Sequence, residues 1–366
     1  MDRLEEVAVK LERVRRLMAE EELGAVVLGG ATNFSWITAG GDDVIVLAAE
    51  QGAGSVVITP DGQYVITDNI EAGRLADEEL AGLDFTIVQD EWHKESFVTL
   101  LDSLVSGDVG ADGNWLPGAA DYGSEIARLR WSLLPPEVER FRRLGQDVSR
   151  CLTETAREVQ VGQSEIEIGA LLTGKLKALD IAPNVILIAS DERIEKYRHP
   201  LPKAKHVERY VMLVASVRRF GLQASATRLV HFGELPAELR RKHDACTLVD
   251  ACFNLETRPG ARVSTIFDRA VRMYAATGFA DEWRLHHQGG ACGYAGRDYK
   301  ATPDMDEVVL ENQAFAWNPS ITGTKSEDTV LVTSGAPELL TAAVDWPMLQ
   351  VEYKGQTLPR ADILVR

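Results

Sequence analysis

From Arg3 to Glu22 apolar side chains fall at Leu4, Val7, Leu11, Val14 and Met18, the spacing of an amphipathic helix, and Gly24 is placed to end it. The next run, AVVLGG (25–30), predicts a strand. VIVLAA (44–49), GSVVITPDGQYVITDN (54–69) and FTIV (85–88) follow as short β-branched stretches. Pro60-Asp61-Gly62 is a strong turn signal within them, and a helical IEAGRLADEEL (70–80) lies between them. This alternation predicts a smaller α/β domain over 1–121.

Residues 122–136 read as a linker, because Pro135-Pro136 in LRWSLLPPEVERFRRLG suit the first turn of a helix and Glu137 sits near its positive end. The second domain, 137–366, opens with helices at EVERFRRLGQDVSRCLTETAREV and SEIEIGALLTGKLKAL. Strands are expected at NVILIAS, RYVMLVASV and GLQASATRLVHFG, two helices at AELRRKHDACTLVDACFNLE and ARVSTIFDRAVRMYAATG, then strands at AFAWNPSI and EDTVLVTS. Helices and antiparallel strands segregated in this way predict an α+β layer.

The 366 residues suffice for two cores. A net charge of −17 argues against a polyanionic partner, so no nucleic acid is expected. Neither a basic-apolar leader nor an apolar run of bilayer length is visible, which predicts no membrane contact and a cytoplasmic location. Cys151, Cys246, Cys252 and Cys292 have no CxxC spacing and read as reduced, buried thiols.

The chemistry concentrates in RLHHQGGACGYAGRD (284–298). A phosphate cradle would need a GxGxxG or Lys-Ser/Thr pattern at the start of a helix, and this stretch has neither. A metal centre would need several carboxylates and imidazoles from elsewhere in the chain.

A Pro-led linker, YRHP, YVMLVASVRRFGLQASATR, LHHQGG, AFAWNPSI and KSEDTVLVTSG occur in an order that resembles the peptidase M24 family, whose members include aminopeptidase P, prolidase and creatinase. The resemblance spans almost the whole chain. It implies a pita-bread C-terminal domain behind a creatinase-type N-terminal domain, and a homodimer. The family's peptidases hold two metals on two Asp, one His and two Glu. Those positions fall here on Val214 (Ala215 if the register slips by one), Ser225, His286, Asn318 and Glu327, so three of the five ligands are missing. No metal and no cofactor are therefore expected.

Creatinase, a family member that works without metal, offers the alternative template. The resemblance implies that Arg297 grips a substrate carboxylate through its planar fork. It also implies that His199 serves as acid and base, with His286 and Glu327 beside it as catalytic groups. His287, Tyr294, Ser225, Thr227 and Asn318 complete the substrate-binding set. Phe34 and Trp36, with Asp42 or Asp43, are first-domain candidates for the pocket mouth. Creatinase has Glu where this chain has Thr227, which argues against creatine and for a small carboxylate-bearing amide or related C–N substrate. His93, His206, His231 and His243 lack partner spacing and receive no role. The alternatives are a catalytically inactive homologue that binds a partner and an Xaa-Pro metallopeptidase.

Overall fold

The computed structural model describes residues 1–94 and 96–366 and divides into two units: Met1–Glu137 with Phe220–Leu222, and Val138–Arg219 with Gln223–Arg366. In the first unit the N-terminal periodicity becomes the helix Arg3–Glu20, opened by an Asp2–Glu5 capping box. Its Val7, Leu11, Val14 and Met18 are buried, whereas Leu4 faces outward.

The helix packs near a six-stranded sheet of β1 (Ala25–Gly30), β2 (Gln51–Ile58), β3 (Gln63–Asp68), β4 (Thr86–Asp90), β5 (Val109–Ala111) and β6 (Ala120–Asp121), ordered β4-β3-β2-β1-β5-β6. β1 runs antiparallel to β2 and parallel to β5, and Pro60-Asp61-Gly62 turns the chain from β2 into β3. VIVLAA does not become a strand. Its Ile45, Val46 and Leu47 are 58–75% exposed, because Gly30 of β1 already pairs with Gln51 and leaves the run no ladder to join.

Phe34 and Trp36 lie on the helix Ala31–Ile37 and are fully buried within the first unit. They are core residues here, a correction to their expected place at a pocket mouth, because a ring with no exposed face has none to offer a solute. The Trp36 carbonyl instead accepts from Lys10, whose buried ammonium also meets Glu6 at 2.6 Å and Glu137 at 2.7 Å.

The second unit begins on the long helix Pro135–Glu158, whose first turn belongs to the first unit, and continues through the helix Glu165–Lys177. Strands β7 (Ala182–Ser190), β8 (Tyr210–Arg219) and β9 (Leu222–His231) form one sheet, joined at its edge by the C-terminal strand. A second sheet contains β10 (Gly289–Cys292), β11 (Tyr299–Lys300), β12 (Ala314–Trp317), β13 (Asp328–Leu331) and β14 (Glu338–Leu339) in the order β11-β10-β12-β13-β14.

The helices Ala237–Glu256 and Val263–Ala276 cover that second sheet. Phe253 stacks on Trp317 at 4.4 Å and Trp317 on Phe315 at 5.4 Å, in a core that includes Ile266, Val330 and Val332. Met348–Tyr353 and Gln356–Ala361 form a hairpin that the hydropathy pattern did not suggest. Among the described residues no helix is long and apolar enough to cross a membrane.

Candidate active site

Apart from Phe34, Trp36, Asp42 and Asp43, the candidate residues belong to the second unit. His199 follows the short helix Glu192–Lys196. That loop is held at its root by Asp191, which adopts φ 53° and accepts the backbone N–H groups of Glu208, Arg209 and Tyr210 at 2.8–2.9 Å. Next to His199, Arg198 donates to Glu282 at 2.7 Å and to Thr322 at 2.9 Å, tying the loop to the turn Glu282–Leu285 that leads into His286.

His286 and His287 enter β10 under similar control. The Gln288 side chain donates to the carbonyls of Trp283 and His286 and accepts from the Tyr274 hydroxyl at 2.8 Å. Gly289 and Gly290 then take φ values of 94° and 152°. A Cβ on Gly289 would lie 2.1 Å from the Ala316 carbonyl oxygen, and one on Gly290 2.2 Å from that of Tyr299. The glycine run therefore answers a close approach of strands.

The consequence is that His199 and His286 meet Nε2 to Nε2 at 3.1 Å, although 87 residues separate them. His287 stands beside both, with ring centroids 5.6 Å from His199 and 4.5 Å from His286. One ring nitrogen from each of the three lies within 4.8 Å of the others, close enough to hold a metal ion. The sequence predicted no metal here, because only His286 of these three rings falls at one of the family's five ligand positions.

The electrostatics keep all three imidazoles neutral. Burial pushes the His286 pKa down to about 2 and that of His287 to about 4, reinforced by Lys325 and His199 for the former and by Arg297 for the latter. His199 is lowered too, by burial and then by Lys325, although it keeps an exposed edge.

Lys325 is the cation that sequence reading missed. It is buried, and its Nζ lies 2.7 Å from Glu327 Oε2; Thr227 donates to the same oxygen at 2.7 Å, and Arg297 stands 3.7 Å from Oε1. Burial alone would raise the Glu327 carboxyl, but Lys325 and Arg297 outweigh it and hold the pKa below the ordinary range. The signal was present: a lysine two positions before a glutamate in TKSEDTVLVT shares its face of an extended chain. The alternate residues Arg228 and Asp328 pair at 3.1 Å, and Asp328 also meets Arg360 at 2.9 Å, in a buried network with Asp250.

Other expected residues divide. Asn318 is buried with Oδ1 lacking a partner, and the buried Nε of Arg297 and Nδ1 of His286 lack one as well. Ser225 is turned to Ser216, its hydroxyl donating at 3.0 Å. Tyr294 is 1% exposed and its hydroxyl faces Arg140 at 3.5 Å.

The positions that the resemblance assigns to a dinuclear centre do not fit one. Val214 belongs to an apolar cluster with Met212 and Leu229, Ala215 has no donor, Ser225 and Asn318 are neutral, and Glu327 is already engaged by an ammonium. Two adjacent dications need bridging carboxylates, which this set does not supply.

Comparison with known proteins agrees with the architecture. The Creatinase/Prolidase N-terminal domain model matches residues 10–143, and the Metallopeptidase family M24 model matches 139–334. The prolidase from Pyrococcus horikoshii OT3 superposes with a TM-score of 0.77 at 17% identity, covering 92% of this chain and 98% of its own. The Xaa-Pro dipeptidase from Bacillus anthracis gives 0.77 at 16%, covering 98% and 100%. The dipeptidase PepE from Mycobacterium ulcerans gives 0.78 at 13%, covering 99% and 98%. No curated protein matches the sequence. With the pita-bread architecture and a family match over more than half its length, the chain belongs to metallopeptidase family M24, a family of C–N bond hydrolases.

Proposed function

We propose that this chain hydrolyses a C–N bond in a small carboxylate-bearing substrate without the family's dinuclear centre, using histidine to move the proton. The observation that carries this reading is the Lys325–Glu327 ion pair at 2.7 Å. The one metal-binding carboxylate retained at the expected positions is neutralised by a fixed cation, and with Arg297 beside it the cluster holds two positive charges against one negative. Such a cluster attracts an anion.

Arg297 supplies the anchor. One of its terminal nitrogens is held by the Gly296 carbonyl at 2.6 Å while its buried Nε has no acceptor, which leaves part of the fork for a carboxylate. Asn318 Oδ1 lacks a donor, and a substrate N–H supplies one. A ligand with both groups would satisfy the two buried vacancies together.

His199 is the better base of the pair, because its pKa is lowered less severely than that of His286 and its edge is open to water. His286, in contact at 3.1 Å, orients it. His199 takes a proton from water as oxygen attacks the carbonyl-type carbon, then returns it to the departing nitrogen.

The test is turnover of small carboxylate-bearing amides, amidines and Xaa-Pro dipeptides, each with and without a strong chelator, followed by mass spectrometry. Chelator-resistant turnover that His199→Ala abolishes is expected. Turnover that the chelator removes would replace this reading with the metallopeptidase one.

A further inference from the structure

We propose that His199, His286 and His287 form a site for one borderline divalent transition-metal ion, of the Zn2+ or Cu2+ kind, which shares only His286 with the positions assigned to the family's dinuclear centre, and that its occupancy shuts down hydrolysis. The inhibitory half rests on the proton-handling role proposed above for His199; the binding half does not.

Geometry carries the binding half. Metal–nitrogen bonds of about 2.0–2.1 Å in a tetrahedral site place ligand nitrogens about 3.3 Å apart. The Nε2 atoms of His199 and His286 are already 3.1 Å apart, and one ring nitrogen from each of the three histidines lies within 4.8 Å of the others. Rotation of His287 about its side-chain bonds closes the set, at the expense of a long 3.3 Å hydrogen bond from the Gly289 N–H.

A second observation points the same way. His286 is buried, at 8% exposure, so the Nε2 that it directs at His199 is shielded from bulk water.

The surroundings set which ion and how many. An all-nitrogen set selects Cu2+ and Zn2+ over Mg2+, Ca2+ and Mn2+, which prefer oxygen, and the Glu327 carboxylate is engaged by Lys325 and Thr227. Lys325 and Arg297 repel a second dication, so the stoichiometry is one. An ion held by His199 takes the lone pair that would receive the proton from water, and activity falls.

Titration of the full chain with Co2+, followed by the visible absorption of the four-coordinate ion and by Zn2+ competition, tests the binding half. One saturable equivalent is expected. His199→Ala and His287→Ala should each weaken it more than about a hundredfold, since loss of even an outer partner costs about 10–100-fold. His206→Ala, on an exposed histidine, should leave it unchanged, and thermal melts establish that each variant folds.

No saturable binding, two equivalents, or binding indifferent to both His variants would overturn the site while leaving the metal-free reading intact. With a substrate in hand, Zn2+ occupancy should lower turnover in proportion and chelation restore it. Turnover that rises with occupancy would overturn the inhibitory half and the metal-free reading together.

Discussion

Lys325 Nζ lies 2.7 Å from Glu327 Oε2, and both side chains are buried, at 5% and 3% exposure. Removing Lys325 takes the closer of two cations from the Glu327 carboxylate and leaves Arg297 at 3.7 Å. Lys325→Met should therefore destabilise the protein by about 1.5–3 kcal/mol, the contribution of a hydrogen bond between charged groups. Lys325→Arg, which keeps the charge, should lose much less. Urea unfolding of the two variants beside the parent chain checks this, and equal losses would mean that packing rather than charge matters at this position.

Arg297 offers a fork where lysine offers a point charge. Hydrogen bonds to charged groups contribute about 1.5–3 kcal/mol. Losing one of the two bonds to a carboxylate should thus raise KM about tenfold to a hundredfold in Arg297→Lys, with a smaller change in kcat. An unchanged KM would remove the carboxylate anchor from Arg297.

The neutral histidines make a prediction about acid stability. With folded-state pKa values of about 2 for His286 and about 4 for His287, the unfolded chain binds protons below about pH 6.5 that the folded chain refuses. Their contribution is fully present above that pH and declines as pH falls, by up to about 1.4 kcal/mol per pH unit for each ring. Unfolding free energies at pH 7, 6 and 5 should fall less steeply in a His286→Asn, His287→Asn double variant. Parallel slopes would show that the rings do not resist protonation in the fold.

Trp36 separates a core role from a pocket role. It is fully buried in the first unit, so Trp36→Ala should cost about 3–5 kcal/mol, read as a lowered Tm. A variant that melts like the parent but binds substrate poorly would return Trp36 to the pocket.

Much of the fold was legible because burial imposes a period. Val7, Leu11, Val14 and Met18 face inward from their helix, and the β-branched runs around Pro60-Asp61-Gly62 pair as a hairpin. VIVLAA misled because an apolar run makes a strand only where a neighbouring ladder is open. The hairpin strand Gln356–Ala361 was hidden by Pro359, which reads as a strand breaker but pairs with Gln350.

The site was legible residue by residue and not as an arrangement. His199, His286, Arg297 and Glu327 were singled out by type and order, but no local pattern states that two rings 87 positions apart touch. Lys325 escaped notice because its neutralising role depends on burial, which appears only once the strands around it are assembled.

The glycine pair behind the histidines has a further consequence. Because the Gly289 and Gly290 Cβ positions are filled by the carbonyl oxygens of Ala316 and Tyr299, any side chain there must push β10 away from its neighbours and carry His286 and His287 with it. A scan of inactivating substitutions would then mark Gly289 and Gly290 as strongly as the histidines themselves, although neither glycine touches a reacting atom. In this chain the tolerance for error in placing the histidine pair is set by the thickness of two backbones, which leaves little slack for a misplaced methyl group.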